Sequence, residues 1–408
     1  VLLVATLSWA GCRKEGVIPP ELKQLGSLRS DTFVARHVYP ARGVALEVMA
    51  PRLGTPAMLD PSESELEIDV YSAPGGDHGD LGFFLMRQGS TGDATIPLPL
   101  SASPVCDADG VCTAQVDAEG SMVRDEPLTL CARRGPHTDC RPGAVYAFSS
   151  LPAPLRMAVI ADPHLGGIEG EPRISRRLER LFETLRHESP PVHVALLAGD
   201  VGHEGERSQE RRFARLAAAS GIPIVAVPGN HDYKDGHIVE YLVHVTPFLD
   251  HLTRIGPYAI IGLNSGPGRY DEEPMTAQNE SVGLEDEQLA WLDSVVEAHA
   301  GPKVVLMHHP PYAFSWSVLG SNRKGFVRCC ARSGVSLILT GHTHLNEVYD
   351  RHGIPYELDP SRGSSPSPDR LPLTLITARS TDKGGGYRLV EVFPDGGFRY
   401  SFRRVALD

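Results

Sequence analysis

Leu155-Arg156-Met157-Ala158-Val159-Ile160-Ala161-Asp162-Pro163-His164 decides how the chain is read. Residues 155–160 form a compact apolar run of strand length, and it ends in an aspartate and a histidine two residues apart. The same grammar recurs downstream. An apolar run at 192–197 leads into Gly199-Asp200, and one at 222–227 leads into Gly229-Asn230-His231-Asp232. Those at 304–307 and 335–339 lead into His308-His309-Pro310-Pro311 and Gly341-His342-Thr343-His344. An α/β sheet gathers its loops at strand ends, so these pieces are placed to converge. A lone Asp-x-His is ordinary on a protein surface. Five ordered pieces, each closing a strand-like run, are what a buried metal cluster requires. Carboxylate, imidazole and amide oxygen together suit divalent ions such as zinc, manganese or iron. Glycines before Asp200 and Asn230 allow the backbone to pass where a side chain would crowd such ions.

Outward from these motifs the runs alternate with helical patterns. Ile174, Leu178, Leu181, Phe182 and Leu185 mark one helix face, and Leu284, Gln288, Trp291, Leu292 and Val295 mark another. This predicts an α/β core over residues 151–408, with tail strands near 373–378, 387–392 and 398–405 completing a second sheet. Residues 39–150 read differently. Leu66, Ile68 and Val70 alternate with Glu67 and Asp69, and short runs at 81–86, 96–100, 128–132 and 145–148 follow between Gly, Pro, Asp and Ser. That is the pattern of a small all-β, sandwich-like domain, and it carries no catalytic set. Residues 13–38 are polar and Pro-interrupted, as in a linker. Residues 1–12 are apolar and end in Ala10-Gly11-Cys12, which resembles a bacterial lipobox and predicts acylation at Cys12. The expected location is therefore the bacterial cell envelope, lipid-anchored, or the secreted fraction.

The formal charge of −12, from 51 acidic and 39 basic residues, argues against broad binding to nucleic acid, which needs a cationic surface. It does not exclude a small phosphate ester, because bound cations invert the local potential. Six cysteines remain beyond Cys12. Cys106 with Cys112 and Cys131 with Cys140 are close in loop-like sequence and are expected to pair in an oxidising compartment, whereas Cys329 and Cys330 fall in a predicted helix and read as packing.

Taken together, the motifs from about 155 to 345 resemble the calcineurin-like metallophosphoesterase superfamily. The resemblance implies a four-layer αββα sandwich with a dinuclear centre at its strand ends. Carried over residue by residue, it implies Asp162, His164 and His344 on one ion. Asn230, His308 and His342 fall on the other, and Asp200 bridges both. His308 is preferred over His309 because the family's ligand lies two residues before the first proline. The resemblance further implies that His231 stabilises the transferring phosphoryl group and helps protonate the leaving oxygen. Asp232 is expected outside the metal shell, orienting His231. A hydroxide bridging the ions would attack phosphorus. Val201-Gly202-His203 lacks the tyrosine of purple acid phosphatases, and the protein serine/threonine phosphatase pattern Gly-Asp-x-Val-Asp-Arg-Gly is absent. The motifs look more like the small-molecule phosphodiesterase and phosphohydrolase branches. The reading is thus hydrolysis of a phosphomonoester or phosphodiester. A different class, an envelope interaction protein using the β domain beside a vestigial site, is disfavoured by the completeness of the ligand set.

Overall fold

The computed structural model describes residues 33–34, 44–73, 81–87, 95–107, 110–118, 123–167, 169–170, 172–233, 238–266, 282–314, 318–357 and 366–406. Cys12 and nearly all of the expected linker lie outside them. The exception is Phe33–Val34, which pairs antiparallel with Asp250 and His251 as an edge strand of the α/β domain.

The amino-terminal part is a β sandwich. One sheet runs Leu46–Ala50, Glu65–Ser72, Val111–Asp117, Val105–Cys106. The other runs Ala57–Leu59, His137–Ala147, Pro127–Arg134, Gly82–Arg87, Thr95–Leu98. Alternating residues such as Ile68, Val70, Leu85 and Leu130 meet between the sheets. Both expected disulfides form: Cys106 to Cys112 and Cys131 to Cys140. Cys329 and Cys330 are buried free thiols.

Behind it stands the αββα sandwich. The first sheet is ordered Ile224–Val227, Val194–Ala198, Leu155–Ile160, Gly386–Val392, Phe398–Arg404, with the first three strands parallel. The second is ordered Phe33–Val34, Asp250–Ile255, Tyr258–Leu263, Lys303–Met307, Val335–Thr340, Leu373–Ile376, Glu347–Tyr349. The predicted tail strands do not complete one sheet. Leu373–Ile376 extends the second, whereas Gly386–Val392 returns antiparallel beside Leu155–Ile160 in the first. Strand alternation lets one strand contribute to two layers of core. Met157 and Val159 face Ile260, Leu306 and Leu337 between the sheets, while Ala158 and Ile160 face the outer helices. Those helices are α1 (Arg173–Arg186), α2 (Arg207–Ala219) and α3 (Val239–His244). On the opposite surface, α4 (Asp286–Ala298) and α5 (Arg323–Arg332) bury Trp291, Leu292, Phe326 and Cys330 against the second sheet.

A buried arginine ties the two domains together. Arg52 donates from Nε to the Val48 carbonyl at 2.8 Å and from Nη1 to the carbonyls of Leu242 and Val243 at 3.2 and 3.1 Å, while Nη2 pairs with Glu47. Burial, then the nearby Arg141, lowers its pKa to about 10, so it stays charged at neutral pH. Arg52→Ala leaves two carbonyls in the domain junction without this donor and takes one of two cations from the buried Glu47, which Arg141 still meets at 2.9 Å. A loss of about 2–3 kcal/mol is expected, because breaking a buried ion pair exposes its desolvation cost. An unchanged denaturant midpoint would show that the junction bears no stability.

Candidate metal centre

All seven side chains predicted to face metal come together at the carboxyl ends of these strands. Their backbone is itself unusual. Asp162, His164, Asp200, His342 and His344 have φ of 52°, 47°, 55°, 72° and 58°, five of the seven non-glycine residues with positive φ among the described residues. Each such residue costs of order 1 kcal/mol, and strain of this kind persists where surrounding structure enforces a functional geometry. The glycines explain how the loops pass so close. A Cβ on Gly229 would stand 2.2 Å from Asp200 Oδ1, and one on Gly199 would stand 2.5 Å from His308 Nδ1.

The donor atoms form two groups that share one oxygen. In the first, His164 Nε2 lies 3.1 Å from His344 Nε2 and 3.4 Å from Asp200 Oδ2, and His344 Nε2 lies 3.5 Å from Asp162 Oδ1. In the second, His308 Nε2 lies 3.0 Å from Asn230 Oδ1, 3.1 Å from His342 Nδ1 and 3.3 Å from the same Asp200 Oδ2. Ligands roughly 2.0–2.2 Å from a common ion, at right-angled to tetrahedral openings, stand about 3.0–3.5 Å from one another. The donor spacing therefore fits two ions joined through Asp200.

The electrostatics fit as well. Burial alone would lower the pKa of His308, but the Asp200 and Asp162 carboxylates override it and raise it to about 9. The anionic pocket thus gathers a proton where a cation belongs. Burial lowers His164 to about 2, with His231, Arg379 and His344 adding to that against the pull of Asp200. His342 falls to about 3, mainly through burial and then through His308. Both rings are consequently neutral and offer lone pairs. His308 Nδ1 donates to the Ala198 carbonyl at 2.7 Å, which fixes the ring and directs Nε2 inward. His309, by contrast, sits 3.2 Å from Ser265 Oγ through Nδ1 and reaches neither Asp200 nor Asn230 by any hydrogen bond among the described residues.

Asp232 behaves differently from expectation. It does not orient the His231 ring; its carboxylate accepts three backbone N–H groups, from Asp200 at 3.1 Å, Gly202 at 3.1 Å and Gly229 at 2.7 Å. It therefore clamps the two loops that carry Asp200 and Asn230. Burial and then the charge of Asp200 raise its pKa to about 7. Glu210, on the first turn of α2, is pushed well above the usual carboxylate range by burial and then by Asp232. Glu210 stands against Asp232, and each carboxyl disfavours the charged form of the other.

The His231 ring is instead set by His203, whose carbonyl accepts from Nδ1 at 2.7 Å and whose ring stacks on it at 5.1 Å. The His231 backbone N–H donates to Asp200 Oδ1 at 2.8 Å. Sequence reasoning gave His203 no role, and it overlooked Arg379 altogether. Arg379 follows Leu373–Ile376 on a segment stitched to the Asp162 loop. There Ala161 N–H donates to Ser380 Oγ at 3.0 Å, Ser380 N–H donates to the Ala161 carbonyl at 2.9 Å, and Thr381 Oγ1 donates to the Pro163 carbonyl at 2.8 Å. The guanidinium consequently acts electrostatically on His164, His203 and His344.

Comparison with known proteins places this geometry among relatives. Residues 155–346 match the family described as calcineurin-like phosphoesterase. A probable cyclic nucleotide phosphodiesterase of Synechococcus sp. is 26% identical over 239 residues, covering 57% of this chain and 84% of the relative. The 3',5'-cyclic adenosine monophosphate phosphodiesterase CpdA of Pseudomonas aeruginosa is 25% identical over 267 residues, covering 62% and 91%. Among solved structures, a purple acid phosphatase from yellow lupin seeds aligns with a TM-score of 0.49 at 14% identity, over 85% of this chain and 71% of that one.

Proposed function

We propose that this chain, whose residues 155–346 match the calcineurin-like phosphoesterase family, is a dinuclear metal-dependent phosphodiesterase. The observation that carries the proposal is Asp200 Oδ2, shared at 3.4 and 3.3 Å between the two groups of donors. Asp162, His164, Asp200, Asn230, His308, His342 and His344 would hold two divalent ions, which would supply Lewis acidity for the phosphoryl oxygens and for the attacking water. The chain's own groups do the rest. Asp232 holds the Asp200 and Gly229 backbones in register. Arg379 adds a fixed positive charge beside the His164 and His344 edge, where a substrate phosphate gains charge in the transition state. His231, with Nδ1 committed to the His203 carbonyl, has Nε2 left to exchange a proton with the leaving oxygen.

Preference for a diester, with cyclic nucleotides as the first class to test, rests on the two relatives named above. The disulfides of the β domain support a place outside the reducing cytoplasm. Among the described residues, no helix is long and apolar enough to cross a membrane. The test is turnover of 3',5'-cyclic AMP, bis-(p-nitrophenyl) phosphate and p-nitrophenyl phosphate by the purified chain, with metal content measured on the same sample. Activity should vanish with chelator, return with zinc, manganese or iron, and favour the diesters. Two bound equivalents without hydrolysis of any ester would overturn the proposal, and monoester preference would overturn its diester part.

A further inference from the structure

A cavity of about 730 Å³ opens between the β sandwich and helices α2 and α3, and none of the metal-facing side chains lines it. Its volume is that of a small-molecule site. One wall is a stripe of α2. Arg211, Ala214, Arg215 and Ala218, at positions i, i+3, i+4 and i+7, face the cavity, while Gln209, Glu210, Phe213 and Ala217 are buried on the other side. The two alanines leave room, and the two arginines stand one turn apart at the rim. The floor is aliphatic, with Leu53, Met86 and Val245, and no Phe, Tyr or Trp is among the residues that line the cavity.

The charges around it do not cancel. Arg52 and Arg141 are engaged by Glu47 and Asp139, and Arg87 meets Glu126 at 2.6 Å. Arg211 and Arg215 enter no hydrogen bond or ion pair among the described residues. The surplus is felt by His244 on the same wall. Burial first, and then Arg207, Arg141, Arg211 and Arg52, lower its pKa to about 4, despite Glu240 at 3.5 Å. In a chain of net charge −12, a cationic cleft with an aliphatic floor is not generic surface.

We infer that this cleft binds an aliphatic anion, a carboxylate or phosphate head on an alkyl body. The head sits between Arg211 and Arg215, whose planar forks match either oxyanion, and the alkyl body covers Leu53, Met86 and Val245. The Cys131–Cys140 disulfide cross-links the strand pair that brings Cys140 and Arg141 to the opposite wall.

The inference is tested by calorimetric titration of the full chain with dodecanoate and with dodecyl phosphate, below their micelle thresholds. One saturable equivalent is expected for at least one head group, and the tighter of the two identifies the head. The double variant Arg211→Ala/Arg215→Ala, altered only at exposed positions, should bind about tenfold more weakly or worse. Ala214→Trp, which projects from the α2 wall into the space left by the alanines, should abolish binding. Asp200→Ala should leave binding unchanged, separating this cleft from the metal centre. Absence of saturable binding, equal affinity in the double arginine variant, or equal binding of neutral dodecanol would each overturn the inference.

Discussion

Asp200→Ala is expected to cost the protein most of its bound metal and at least about 1,000-fold in phosphoesterase turnover. The size follows from how many contacts end at one carboxylate. Oδ2 lies in both donor groups, and Oδ1 accepts the His231 backbone N–H. Removing it leaves His164, His308, Asn230 and their partners as two unjoined sets of mostly neutral ligands with less negative charge to hold two cations. The loss of the carboxylate also withdraws the group that, against burial, raises His308 to about 9. In the variant without metal, the His308 pKa should therefore fall. NMR titration of the histidine rings checks that directly, and plasma emission analysis checks the metal. Retention of two equivalents in Asp200→Ala would remove Asp200 from its bridging position, whatever happened to turnover.

What could be read from the sequence, and what could not, divides along physical lines. The strands of the α/β domain were legible because they are buried on both faces and so appear as continuous apolar runs, ending where the ligands begin. Leu155–Ile160 and Asp162 are the plainest case. Helix α2 was not legible. Its buried face carries Gln209 and Glu210 beside Phe213 and Ala217, so the apolar period that marks α1 is broken. Those polar residues are buried because they brace the site: Gln209 accepts the Glu204 N–H at 2.9 Å, and Glu210 stands against Asp232. Arg379 was invisible for another reason. It lies more than thirty residues beyond the last motif, and only the hydrogen bonds of Ser380 and Thr381 to the Asp162 loop bring it to the centre. The sharing of Asp200 was legible only through the family resemblance, because it is a matter of three-dimensional distance that spacing along the chain does not contain.

His231→Ala is expected to leave metal content nearly unchanged and to reduce turnover of an alkyl phosphodiester by about 100-fold or more, the scale of positioned acid–base catalysis. Metal content should survive because what His231 gives Asp200 is its backbone N–H, which alanine keeps. The ring is held from the side, by the His203 carbonyl at 2.7 Å and by an edge-to-face contact with His164 at 4.6 Å, so its removal withdraws no donor from either ligand group. With Nδ1 donating to that carbonyl, the proton for the leaving oxygen has to come from Nε2. The need for that proton depends on the leaving group. An alkoxide leaves poorly unless protonated, whereas p-nitrophenolate leaves readily as the anion. The defect should therefore be large for alkyl esters and several-fold smaller for p-nitrophenyl esters. A purely structural histidine would slow both equally. Equal losses on the two leaving groups, or full turnover of the alkyl ester by pure His231→Ala protein, would take the acid role away from His231.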